Sequence, residues 1–434
     1  MRSPARAALA LLVPVAAAAA SAAEPATLSL GDALRELEAR SPGALQAASR
    51  AREAGALARQ AAAALLPLLS ATGSWARNSD ELVLPRPNPA APAVSLGLVH
   101  IQPREAWGAG ASLRVPLAVP GAWADLAAAR HAAASAEAGA EAARLQLRLA
   151  LVQGAWLAAA GEEIAEAASR ALAVAREQSE GARRAVDAGL RPPLAALQSE
   201  AQAVRRESDL VRARSARDRA VLALGVLLGR EGPVRVALPP PDAPAPPDVA
   251  ALGPAALRAR PETRLHEEQV AAAGSQVTSA WLRLLPQLSA TGTAFAQDVP
   301  LPTGERDGWK VTLDLAWPLY DGGLRYGKRR EAEARAAGAR AAAEAQRLAI
   351  FQEVEDGTRD VAVAAERLRL AERQRAVAAD AAATARRAFE AGTTGHVEVL
   401  DANDQLFQAE VAQADARSQL GQARAALDRA AGRI

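Results

Sequence analysis

The sequence predicts a mixed α and β membrane protein written as an internal tandem repeat. Three observations carry that expectation. The 434-residue chain repeats its landmarks in order, and it holds four short segments of alternating polarity with Trp at their ends. Half of its residues are hydrophobic, mostly Ala, while aromatics make up only 3%. Such a composition favours long helices packed closely side by side over a thick globular core.

The N-terminal stretch reads as a secretory signal over residues 1–23. Arg2 and Arg6 supply the positive end, Ala7 to Ala20 an apolar run, and Ser21-Ala22-Ala23 a small-residue cleavage pattern before Glu24. Losing Arg2 and Arg6 leaves 49 of the 51 basic residues against 49 acidic ones. The exported chain is then formally neutral, which argues against nucleic acid as a partner. With 0 Cys there is no disulfide framework, thiolate metal site or lipid-modified N-terminal Cys. No later segment offers about 20 apolar residues without charge, so a membrane crossing would need a closed β-barrel.

The repeat follows. "LLPLLSATGSW" begins at Leu65 and "LLPQLSATGTA" at Leu284. Trp107 and Pro116 match Trp309 and Pro318, "AGLRPPLAALQ" from Ala188 matches "AGTTGHVEVLD" from Ala391, and Leu224 and Gly229 match Leu427 and Gly432. The first repeat is expected over 24–237 and the second over 251–434, joined by a Pro-rich connector at 238–250 whose stretch 238–248 cannot be helical. The spacing differs mainly between Gly73 and Trp107, where a polar, Pro-rich stretch reads as a surface loop.

Each repeat reads as a helix up to Pro67 or Pro286, two strands, a very long helix, a Gly-containing turn and a final helix. Pro116 and Pro318 are expected to close the second strands. The long helix of the second repeat is expected from about Leu324 to Phe389, on the order of 100 Å. A helix of that length must lie along other helices. In the last helix, Val399, Ala402, Leu406, Ala409, Gln413, Ala416, Leu420, Ala423, Leu427 and Ala430 form a coiled-coil seam. Arg206 and Arg217 interrupt the matching positions of the first repeat.

The strand candidates are 69–77, 107–115, 287–297 and 309–317. In the last, Trp309, Val311, Leu313, Leu315 and Trp317 oppose Lys310, Thr312 and Asp314. Segments of nine to eleven alternating residues match tilted membrane strands, and the polar faces suit a wet lumen. Trp75, Trp107, Trp309 and Trp317 are candidate membrane-interface aromatics, because an indole favours the boundary between lipid and water. Four strands cannot close a barrel, so each chain must supply one sector of a shared one.

No catalytic motif is present. There is no P-loop, dinucleotide fingerprint or His-Glu-x-x-His, and the 4 His are scattered without metal-ligand spacing. No enzyme activity, cofactor or metal is expected.

The stretches "LLPQLSATGTAF", "VTLDLAWPLYDGGLRYGKRREAEA" and "FEAGTTGHVEVLDANDQLFQAEVAQADA", with the duplicated layout, resemble the TolC-like outer membrane efflux proteins. The resemblance implies a homotrimer whose 12-stranded outer-membrane β-barrel, four strands per chain, continues into a periplasmic α-helical coiled-coil barrel. It implies a passive exit duct in tripartite efflux or type I secretion, working with an inner-membrane pump and a periplasmic adaptor. It also places the channel aperture at Glu398 and Asp401. The alternative for these acids is a solvated helix start, where the dipole favours negative charge. Adaptor contact maps to Gly189, Leu190, Gly392 and Thr393. Relatives often have Asp where this chain has Glu398, and a basic residue where it has Thr394. The rival class is a soluble periplasmic coiled-coil scaffold or adaptor.

Overall fold

A computed structural model describes residues 26–88, 90–239, 249–300 and 305–433. The expected signal segment and residues 240–248 of the connector lie outside these.

The chain runs β1 (Ala26–Ser29), α1 (Leu30–Arg40), α2 (Pro42–Ala63), β2 (Leu68–Arg77), β3 (Leu82–Asn88), β4 (Ala91–Gln102) and β5 (Glu105–Ala118). It continues through α3 (Pro120–Asp187), α4 (Pro193–Leu227), β6 (Val234–Ala237), α5 (Val249–Ala259), α6 (Pro261–Leu282), β7 (Gln287–Gln297), β8 (Asp307–Ala316), α7 (Leu324–Glu390) and α8 (His396–Ala430).

Among the described residues three separate sheets form. The largest is four-stranded and antiparallel, in the order β2-β5-β7-β8, and is open at both edges. Its members fall where the alternation placed them. Trp75 stands opposite Trp107, and Trp309 opposite Ala294. Among the described residues no helix covers the apolar face of β8: Trp309, Val311, Leu313 and Leu315, with Trp317 just beyond the strand, are each more than half exposed. The stretch read as a loop between Gly73 and Trp107 instead holds the β3–β4 hairpin. Prolines at 85 and 87 coincide with its register shifts, as expected where Pro removes a ladder donor. Nor does Pro116 close its strand. β5 runs on to Ala118 through a bulge at Pro116–Ala118, since a bulge tolerates the missing N–H.

The helices form one layer. α3 packs against α2 and α6 near the sheet and against α4 and α8 further away; α7 does the same with α6 and then α8. At 68 and 67 residues, α3 and α7 are each about 100 Å long. Small residues set the spacing. Leu224 of α4 seats on Gly154 of α3, and Leu427 of α8 on Gly357 of α7. The α8 seam is buried at Val399, Ala409, Ala416, Leu420, Leu427 and Ala430. A second buried stripe, Ala414, Ser418, Gly421 and Ala425, lies about 140° away on the same helix. There the Trp156 indole of α3 lies on Gly421. One helix thus packs on two neighbours, which a single two-stranded seam does not convey.

Two apolar knots close the middle of the layer. Leu37, Leu151, Leu224, Leu228 and Val234 form one, tied to the parallel β1–β6 pair. Leu252, Ala256, Ile350, Val354 and Ala430 form the other. Beside the second, Arg260 is almost fully buried and donates to Glu353 (2.5 Å) and Glu262 (3.0 Å), while Arg429 donates to the same two carboxylates (2.6 and 2.8 Å).

Candidate functional site: the far tip of the helical layer

The end of the helical layer furthest from the four-stranded sheet is built from two turns, α3–α4 and α7–α8. Each long helix ends in a left-handed glycine, Gly189 at φ 72° and Gly392 at φ 73°. Only glycine adopts that conformation without strain. Leu190 N–H returns to Ala185 O (2.8 Å) and Thr393 N–H to Ala388 O (2.9 Å), the long hydrogen bond of a Schellman cap. The four residues expected at the adaptor contact therefore form two similar, exposed corners, and Leu190 presents its side chain almost entirely to solvent.

Glu398 and Asp401 are both exposed in the first turns of α8. Their side chains have separate local environments. Gly395 is the N-cap and Glu398 stands three residues into the helix; its carboxylate folds back over the Gly395 backbone. That is where an N3 glutamate complements the orphan N–H groups of a helix start. Asp401 accepts a hydrogen bond from Gln405 Nε2 at 2.8 Å. Above them an exposed polar stripe continues through Gln405, Gln408, Asp415 and Gln419 at heptad spacing.

The turns are cross-linked by residues that sequence reading left unassigned. The Arg191 guanidinium lies 4.4 Å over the Phe389 ring, and Phe389 meets His396 with ring centroids 5.8 Å apart. His396 Nε2 lies 2.5 Å from Ser199 Oγ, and Ser199 donates to Ala195 O (2.8 Å). The hydroxyl proton is thereby used, so His396 Nε2–H acts as the donor to Ser199. Burial, reinforced by the Arg191 charge, holds the His396 imidazole below its ordinary value.

Further from the tip, Arg206 is no mere interruption. It is buried on α4, pairs with Asp209 (2.9 Å), abuts Asp404 of α8 and lies 4.4 Å over Phe407. The sequence signal was available in Asp404 and Phe407, two and one residues from seam positions, but their partner lay some two hundred residues away. The expected interface aromatics lie at the opposite end. Trp75, Trp107, Trp309 and Trp317 are all at least half exposed, and Trp317 Nε1 donates to Leu284 O (3.1 Å).

A search of curated proteins found no significant match. Among solved structures, the outer membrane protein VceC from Vibrio cholerae is 22% identical, with a TM-score of 0.75 over 93% of this chain and 96% of that one. The CmeC outer membrane channel of Campylobacter jejuni is 16% identical, with a TM-score of 0.79 over 93% and 85%. The Neisseria gonorrhoeae MtrE outer membrane channel in its open state is 18% identical, with a TM-score of 0.76 over 93% and 88%. These likenesses establish a shared fold. The family model described as "Outer membrane efflux protein" matches residues 33–230 and 252–433. With an open strand sheet at one end, a single helical layer below it and a sequence match across nearly all of both, the chain belongs to the outer membrane efflux protein family.

Proposed function

We propose that three copies of this chain form a passive exit duct through the outer membrane. Twelve strands close the barrel and the helical layers close a tunnel in the periplasm. Cargo comes from an inner-membrane pump, through an adaptor docked at the Gly189-Leu190 and Gly392-Thr393 corners, in tripartite efflux or type I secretion. The observation that carries this reading is the open β2-β5-β7-β8 sheet, with its apolar face uncovered and both edges unpaired. In lipid an unpaired edge costs several kcal/mol per backbone group, so β2 must pair with β8 of another copy. A soluble scaffold would have to expose that same face to water.

Glu398 and Asp401 from three copies would ring the tunnel mouth and favour cations. Trp75, Trp107, Trp309 and Trp317 would mark the lipid boundaries.

The test is fractionation of the expressed chain with cysteine cross-linking of β2 to β8, followed by planar-bilayer recording. A detergent-requiring trimer, cross-linked between copies and conducting ions, is the expected result. A soluble monomer would sink the reading.

A further inference from the structure

Where the sheet meets the helices, α3, α6 and α7 each present an exposed aromatic: Trp123, Trp281 and Tyr326. Trp123 and Tyr326 are 203 residues apart, the spacing that separates the two halves of the chain. Residues two apart on a helix differ by about 200° in direction. Asp125, Arg283 and Lys328 therefore face away from the three aromatics, and they line a separate polar groove of about 280 Å³. The helical layer thus has an aromatic side and a charged side at this level.

Two cations break that division by standing on the aromatic side. The Arg329 guanidinium lies 4.4 Å over the Trp281 ring. Arg330 lies one helical turn beyond Tyr326 on the same face, about 6 Å further from the strands. It is exposed and, among the described residues, makes no hydrogen bond or ion pair. Arg329 approaches one acid, Glu333, at 3.2 Å. The corresponding positions of the first half are Leu126 and Ala127, so the cationic pair occurs once per chain.

We propose that Trp281, Tyr326, Arg329 and Arg330 form a binding site for the phosphate headgroup of an anionic phospholipid in the periplasmic leaflet. The inference rests on the membrane reading above. Indole and phenol rings settle at headgroup level, and cations just beyond them meet the phosphates. The stack on Trp281 holds one guanidinium in place, and Arg330 supplies an uncommitted fork of donors. A positive pair beside a negative lipid surface is the complementarity that retains such a lipid.

The experiment uses the full chain reconstituted in vesicles of equal phosphatidylglycerol and phosphatidylethanolamine, with the lipids that remain bound read by native mass spectrometry. Wild type should retain phosphatidylglycerol in excess, and each cation should contribute about fivefold to the enrichment. Arg329→Gln with Arg330→Gln should remove it. Arg330→Lys should keep most of it, and Lys328→Gln, on the opposite face, should leave it unchanged. Equal retention of the two lipids by wild type, or undiminished enrichment in the double variant, overturns the proposal. So does a double variant whose subunits separate more readily at unaltered enrichment, since the cations then serve a neighbouring copy. A chain that never enters vesicles would instead sink the duct reading, so the two failures are distinct.

Discussion

Leu224 seats on Gly154: a Cβ built on that glycine would stand 3.0 Å from the leucine Cδ2. The same relationship recurs between Leu427 and Gly357, with 3.4 Å to the leucine Cδ1 and 3.5 Å to its Cα. Mid-helix glycine costs about 1 kcal/mol against alanine, and of the two only Gly154 sits under an approach tight enough to offset part of it. Gly357→Ala should be neutral or slightly stabilising, because its new methyl makes only ordinary contact. Gly154→Ala should gain less, since the Leu224 tip must give way. Gly154→Val should destabilise by about 1–3 kcal/mol through overpacking. Thermal melts of the helical signal would rank the three, and a Gly154→Val variant as stable as wild type would refute the seating argument.

The Arg260 network supports a second prediction. Burial alone would raise the Glu262 carboxyl, but the Arg260 hydrogen bond and the Arg260 and Arg429 charges outweigh it and hold the group below its ordinary value. A carboxyl depressed on folding stabilises the fold above its unfolded value, and that contribution is lost as pH falls from about 4.5 through the lower folded value. Glu262→Gln should remove this acid sensitivity. It should also cost about 3 kcal/mol at neutral pH, because the buried Arg260 loses a partner. By α2–α6, α3–α7 and α4–α8 correspondence, the first half places Ser41, Gly43, Ala150 and Val226 at the four positions. Converting all four charges to that set should therefore cost less than the single change. A melting series over pH for both variants checks the order.

Much of this fold was legible in the sequence, for physical reasons. The passage from β8 to α7 was readable because alternation switches to helical periodicity across Pro318 and Gly323. The β1–β6 pair was not, because four-residue strands carry almost no periodic signal. The β3–β4 hairpin was hidden by its prolines, whose usual meaning is loop. At the tip, Gly189 and Gly392 were visible as helix stops. The Arg191–Phe389–His396–Ser199 chain was invisible, because each member is an ordinary residue until the two turns meet. Glu398 was singled out by resemblance, yet its carboxylate's fold-back over Gly395 emerges only from the structure.

Glu398 and Asp401 separate in a third prediction. Glu398 touches its own helix start, so Glu398→Ala should loosen the first turn of α8 by about 0.5–1 kcal/mol. Hydrogen exchange at residues 396–401 should report that loosening. Among the described residues Asp401 has Gln405 as its one side-chain partner, so Asp401→Ala should leave exchange there unchanged. If the acids also ring an aperture, both changes should raise single-channel conductance and weaken block by multivalent cations. Unaltered conductance in the double variant would leave only the helix-start role.

The tip also titrates. His396 donates to Ser199 in its neutral form, and its imidazole is held below 6.5 by burial and then by Arg191. A base with a depressed folded value favours the packed state fully at high pH. As pH falls below about 6.5 the separated state takes up the proton first, so packing weakens until the folded value is reached. The α7–α8 turn should therefore loosen from α4 in mildly acidic solution. Hydrogen exchange at residues 389–397 should accelerate between pH 7 and 5 beyond its intrinsic pH trend, and channel opening should increase if this turn guards the aperture. His396→Phe keeps the ring against Phe389 but cannot take a proton, so it should flatten that excess. Ser199→Ala removes the acceptor and should loosen the turn at every pH. An excess that persists in His396→Phe would place the titration on another group.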